Sequence, residues 1–127
     1  MKIKEDEEQV LQKYNFNFKK GSVEMLILRL LSNHDCYGYQ LTQIIKKLSD
    51  GMIIIPSGSL YPILYKLLDE GYITEYTVKS GRRQERIYYH LEPSGEEYLE
   101  EQIVAYRAVE NAIARILSYE GEEKDEK

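Results

Sequence analysis

Four cations crowd one short stretch of the chain, KSGRRQER, where Lys79, Arg82, Arg83 and Arg86 surround Gly81 with Glu85 as the only acid. Side chains of this type neutralise phosphates, and arginine suits narrow grooves of high negative potential. A run of charge by itself also describes a solvated loop tip, so the elements that carry it must decide between the two. Other reactive side chains are sparse. His34 and Cys36 stand two apart, alternate in direction, and have no second histidine or acidic motif beside them. No catalytic residue is expected from them, because catalysis needs a positioned nucleophile, base or metal. One cysteine with His34 and His90 falls short of a structural zinc set, so neither metal nor cofactor is expected. Cys36 reads as a small core residue.

The 127 residues suffice for one small domain and an extra element. Hydrophobic residues make up 43% and charged residues 31%, which is ordinary for a soluble globular protein. No apolar run approaches the roughly 18 residues of a membrane span. The opening MKIKEDEEQVLQ has acids where a signal peptide needs an apolar core, which predicts a cytoplasmic location. The net charge of -5 is unevenly placed: residues 19–95 carry ten bases against eight acids, residues 96–127 four against ten. A sequence pI near 5.1 argues against nonspecific polyanion binding, yet a local basic patch remains on the middle segment.

The elements follow from periodicity. SVEMLILRLLSNHD, after Gly21, is too densely apolar for a surface strand and suits a largely buried helix closed by Asn33 and Asp35. YGYQLTQIIKKLSDG sets Leu41, Ile44, Ile45 and Leu48 at helical spacing, with Lys46 and Lys47 outward and Gly51 as a stop. MIIIP is a short extended piece. SGSLYPILYKLLDEGY carries Leu60, Leu64, Leu67 and Leu68 as the buried stripe of a third helix, capped by Ser57 or Ser59 and starting near Ser59, so that Pro62 falls in its first turn. Strands are expected over 72–78 and 86–91, with Ser80 and Gly81 in the turn; Ile87, Tyr89 and Leu91 then share one face and Arg86, Tyr88 and His90 the other. The cationic stretch is therefore the tip of a hairpin.

Pro93 and Gly95 lead into a long helix from about Ser94 to Tyr119. Its stripe of Leu99, Ile103, Tyr106, Val109, Ile113 and Ile116 exceeds what a small three-helix domain can cover, which predicts a homodimer through this helix; folding back on the same domain is the alternative. EDEEQVLQKYNF adds a short N-terminal helix with Val10, Leu11 and Tyr14 on one side.

Helix, helix, extended piece, helix, hairpin is the order of a winged helix-turn-helix: mainly α with a small β-hairpin, plus the long C-terminal helix. The hairpin tip is then the wing, and the third helix enters a major groove. A winged helix that grips an acidic protein is the alternative, because fold order alone does not fix function. From Gly21 to Gly95 the residues carry a resemblance: Gly21 with Glu24, YGYQL (37–41), GSLYPIL (58–64), EGYI (70–73) and GRRQERIYYHL (81–91) resemble the PadR family of bacterial transcriptional regulators, in its short subfamily.

The resemblance implies homodimers on operator DNA, commonly repressors, some released by a small aromatic compound. It divides the chain into an N-terminal arm (1–20), a DNA-binding domain (21–92), a dimerisation helix (93–119) and an acidic tail (120–127). Ser57, Ser59, Tyr61, Tyr65 and Lys66 are the expected DNA contacts of the third helix, and Lys79, Arg82, Arg83 and Arg86 those of the wing. Tyr37, Tyr39 and Lys46 are added as phosphate candidates. Tyr61 or Tyr65 has the alternative of packing on the hairpin, and Arg86 that of a partner on its own strand. Gln40 stands where the family often has glutamate, Ile87 where a second wing base is usual, and Glu92 where threonine commonly precedes the last helix. Some short members stack planar drugs on a tryptophan in the last helix; this chain has no tryptophan, and Tyr106, with Ile103, occupies the matching place.

Overall fold

Apolar spacing and turn chemistry produce the expected order of elements in the computed structural model, which describes residues 20–82 and 84–121. These are α1 (Lys20–Leu31), β1 (Cys36–Tyr37), α2 (Gly38–Leu48), α3 (Ser57–Asp69), β2 (Ile73–Ser80), β3 (Gln84–Leu91) and α4 (Pro93–Leu117). The expected N-terminal helix and most of the acidic tail lie outside the described residues, as does Arg83.

The core is where α1, α2, α3 and the hairpin base meet. Ile27, Leu28, Leu41, Leu60, Leu64 and Leu67 are each 1% exposed or less. Burying side chains of this size contributes about 1.5–3 kcal/mol apiece, so α3 is anchored along its inner face. Ile63 joins that face and Leu68 is only partly buried, which widens the expected stripe toward α1.

Three local differences have local causes. Neither Ser57 nor Ser59 caps α3; the cap position is Pro56, whose carbonyl accepts from the amides of Ser59 at 2.9 Å and Leu60 at 3.0 Å. The extended Pro56 backbone thereby starts the helix two residues early, placing Pro62 inside it and leaving the Gly58 carbonyl without the amide of its fourth neighbour. The hairpin is longer than expected, with Ser80 paired to Gln84 and Gly81 opening the turn at φ +75°. A third strand, β1, pairs Cys36 with Tyr89 and Tyr37 with Tyr88, giving the sheet order β1-β3-β2. Two residues are too few to show a period, so β1 leaves no signal in the sequence.

The inward face of β3 divides along its length. Tyr89 and Leu91 are buried, but Ile87 is 47% exposed because the strands run past the core toward the tip. α4 divides likewise. Its start, with Pro93 as first residue, packs on the domain, and Leu99 is 2% exposed in the core of its own chain rather than available to a second copy. Beyond the partly buried Ile103, the side chains of Val104, Tyr106, Val109, Ile113, Ile116 and Leu117 are 42–80% exposed.

Candidate nucleic-acid interface

α3 presents two flanks beside its exposed ridge. Ser57, Gly58 and Ser59 are exposed at its N-terminal turn, and Tyr65 is 60% exposed. Tyr61 is half-buried because its hydroxyl closes over Gly38 at the head of α2, where an alanine Cβ would lie 2.5 Å from the Tyr61 hydroxyl oxygen. Its ring centroid is 6.3 Å from that of Tyr65. Tyr89, on the inward face of β3, is buried, and that burial pushes its hydroxyl up to about 12. α3 packs against β2 of the hairpin, and alternation places Thr77, Lys79 and Ile87 farther out on the inward face, with Glu85 opposite Lys79.

Between α2 and α3 runs a groove of about 290 Å³, lined by Tyr39, Thr42, Gln43 and Lys46 on one side and Ser57 and Tyr61 on the other. It brings together four of the expected contacts: Tyr39, Lys46, Ser57 and Tyr61. Thr42 and Gln43 were not expected, although positions 39, 42, 43 and 46 form a helical stripe that the sequence displays. The amide of Tyr37 donates to Gln40 Oε1 at 3.2 Å, so the glutamine supplies the acceptor at the head of α2 that a glutamate would.

The wing cations fall into two groups. Lys79 and Arg82 are exposed. Arg86 is on the opposite face of the sheet, with its guanidinium carbon 4.4 Å from the centre of the Tyr37 ring. Tyr37 meets Tyr88 edge-on at 5.4 Å, and Tyr88 stacks on Tyr76 at 5.7 Å, so one cross-strand row of rings ends under the arginine. Such a cation over an aromatic face is worth about 0.5–2 kcal/mol and fixes where Arg86 can reach. Lys66, expected as a DNA contact, is on the other flank of α3, where its Nζ donates to Glu24 Oε2 at 2.7 Å.

Below the wing, Asp35 ties both hairpin strands to the loop after α1. Its Oδ2 accepts from the Tyr76 hydroxyl at 2.6 Å and its Oδ1 lies 2.9 Å from His90 Nδ1. The Tyr76 bond, with help from His90, holds Asp35 below its ordinary value, while the bond to Asp35 raises His90 above 6.5. The ion pair thus contributes fully below the ordinary imidazole value and is lost as pH rises through the raised one; on the acid side it is lost as pH falls through the lowered Asp35 value. In an NMR titration His90 should titrate above 6.5, and Asp35→Asn should return it toward the free value. An Asp35→Asn spectrum with the same midpoint would show that the contact does not hold in solution.

Cys36 is fully buried with its Sγ 3.5 Å from His34 Nδ1, and burial pushes its thiol up to about 11, away from nucleophilic chemistry. Among the described residues no three His, Cys, Asp or Glu side chains gather as a metal site, and no helix is long and apolar enough to cross a membrane.

This geometry agrees with the comparisons to known proteins. The chain is 30% identical over 96 residues to the transcriptional regulator YqjI of Escherichia coli K12, an alignment covering 76% of this chain and 44% of the relative. The crystal structure of Bacillus subtilis PadR in complex with operator DNA superposes with a TM-score of 0.61 at 31% identity, over 65% of this chain and 47% of that one. A PadR-like transcriptional regulator from Bacillus cereus superposes with a TM-score of 0.68 at 32% identity, over 80% of this chain and 96% of that one. The chain thus spans less than half of the E. coli and B. subtilis proteins and nearly all of the B. cereus one. The model of the transcriptional regulator PadR-like family matches residues 27–101, from the middle of α1 through the wing into α4. With more than half of its length inside that match, the chain belongs to the PadR-like family of transcriptional regulators, not to a family of enzymes.

Proposed function

We propose that this regulator is a cytoplasmic homodimeric repressor that binds a pseudo-palindromic operator, with its two α3 helices in major grooves about one duplex turn, roughly 34 Å, apart. Ser57, Ser59, Tyr61 and Tyr65 meet base edges and nearby phosphates, and Tyr39 and Lys46 hold the backbone beside the α2–α3 groove. Lys79, Arg82 and Arg83 reach the adjacent phosphates or minor groove, with Arg86 and Tyr37 behind them on the outer sheet face. The observation that carries this reading is the adjacency of α3, with its exposed N-terminal turn, to the α2 groove on one side and to β2 of the cationic hairpin on the other. The operator complex of the B. subtilis relative supports the choice of partner.

The exposed apolar side chains of α4 from Val104 to Leu117 support a second copy as the other partner, because a contiguous apolar stripe left exposed on a helix marks an interaction surface. The seam begins at Ile103 and runs through Tyr106, Val109, Ile113 and Ile116. Tyr106, 42% exposed beside Ile103, offers a ring at that seam on which a small aromatic effector stacks, shifting the spacing of the two α3 helices.

A retardation assay on the intergenic fragment upstream of the chain's own gene, with competitor DNA present, tests the reading. Retention is expected for the wild type. Tyr61→Ala or Tyr65→Ala should lower affinity for that fragment by roughly tenfold, a loss of the size that base contacts carry, while sedimentation still reports a dimer. Unchanged affinity in both variants would remove α3 from the interface. Failure of the wild type to retard any promoter fragment would leave a winged-helix module for an acidic protein.

A further inference from the structure

Glu24, at 1% exposure, is the buried charged side chain of the described core. Its two carboxylate oxygens serve different helices. Oε2 accepts from Lys66 Nζ on α3 at 2.7 Å; Oε1 accepts from the Tyr98 hydroxyl at 2.9 Å and from Gln102 Nε2 at 3.4 Å, both on α4. Tyr98 also stacks flat on Tyr72, with ring centres 4.2 Å apart and planes at 8°, immediately before β2. One residue of α4 therefore touches both the α3 anchor and the root of the wing.

We propose that Glu24 is a positioning residue for DNA reading: its carboxylate ties α3, through Lys66, to α4, through Tyr98, so that the tilt of α4 set at the dimer seam is passed to the groove-facing end of α3. Lys66 accordingly takes no phosphate. Five residues at about 100° each place Lys66 some 140° around the axis from Tyr61, so the two flanks face different neighbours, α2 for Tyr61 and α1 with α4 for Lys66. A lysine spent on a buried carboxylate releases no counterions on binding DNA, because the pair is already neutral. Both bonds end on one buried carboxylate, so a slide of α3 or α4 along α1 must stretch or bend a bond to it. Apolar packing around Leu67 and Leu99 has no such direction.

The inference rests on the proposed DNA binding, and the test separates the two. Lys66→Met, Glu24→Gln and Tyr98→Phe are compared with the wild type on the upstream intergenic fragment and on a random-sequence duplex, at a temperature where circular dichroism shows each variant folded. Tyr98→Phe keeps the ring on Tyr72 and removes only the hydroxyl. Lys66→Met should leave the salt slope on the random duplex unchanged, whereas a phosphate contact would lower it by about 0.9. Glu24→Gln and Tyr98→Phe should lower affinity for the intergenic fragment about tenfold, within the usual range of coupling between sites, and leave the random duplex unaffected. The losses of Lys66→Met and Tyr98→Phe should not multiply in the double variant.

A slope reduced by about 0.9 in Lys66→Met, equal losses on both duplexes, or multiplying losses would each overturn the proposal. If the wild type retards neither duplex, DNA binding itself has failed, and thermal unfolding of the same variants decides the tie: independent shifts of the midpoint for Lys66→Met and Tyr98→Phe refute it, and shared ones uphold it.

Discussion

Alanine at both Arg82 and Arg83 should lower the dependence of log K on log salt concentration by about 1.8, because each phosphate neutralised in B-DNA accounts for about 0.9. Between about 50 and 200 mM salt the wild type would then lose roughly tenfold more affinity than the variant. The loss should be the same on operator and random duplexes, since phosphates carry no sequence information. That uniformity distinguishes the wing from α3, where Tyr61→Ala and Tyr65→Ala are expected to act on the operator alone. Arg82 is exposed and free to meet a backbone, while Arg86, held over the Tyr37 ring, needs its cation–π contact broken before it can move far. Arg86→Ala should accordingly change the slope less than Arg82→Ala. A slope unchanged by the double substitution would remove the wing from the interface.

Gly95→Ala should be among the most damaging single substitutions in the chain. Gly95 is buried in the first turn of α4, and an alanine Cβ there would run into the Tyr72 carbonyl oxygen and lie 2.6 Å from Leu91 Cδ1. That carbonyl already accepts from the Glu92 amide at 3.0 Å, and the Ser94 hydroxyl is bonded to the Gly71 carbonyl at 2.8 Å, so the backbone opposite is pinned. Ordinarily alanine in place of a helical glycine gains about 0.5–1 kcal/mol. Here the clash with backbone reverses the sign, to a loss of about 3 kcal/mol and a midpoint lower by about 10–20 °C for a domain of this size. Gly58→Ala serves as the reference in thermal unfolding, because a Cβ at that position would have nothing within 4 Å, and the substitution should be neutral or slightly stabilising. A Gly95→Ala protein as stable as the wild type would mean that α4 does not approach β2 as closely as described.

Parts of the proposed interface are legible in the sequence, and the reasons differ by residue. The cations of the wing announce themselves by type, and Gly81 marks the turn between them. Tyr39, Thr42, Gln43 and Lys46 share a helical face that spacing alone displays, although only the first and last stand out as a phenol and a cation suited to phosphate. Lys66 has a partner that its neighbours in sequence do not announce. On the sequence it differs little from any lysine beside an apolar stripe, and the carboxylate that claims it is 42 residues away. The same holds for Arg86, whose aromatic partner Tyr37 arrives through a two-residue strand with no periodic signature.

By itself the sequence determined the order and kind of the elements, the placing of the charge and the over-long apolar stripe of α4, since each depends on residue type and spacing within one segment. Periodicity and turn chemistry are local, and local physics is written along the chain. Tertiary structure alone decided that Leu99 belongs to the domain's own core, that Lys66 faces Glu24 and that Arg86 sits behind the sheet. It also decided that Gly95 sits against the Tyr72 carbonyl and Leu91, where an added Cβ would clash. These outcomes depend on which distant groups pack together, and burial, pairing and clash are properties of that meeting rather than of either partner's neighbours in sequence.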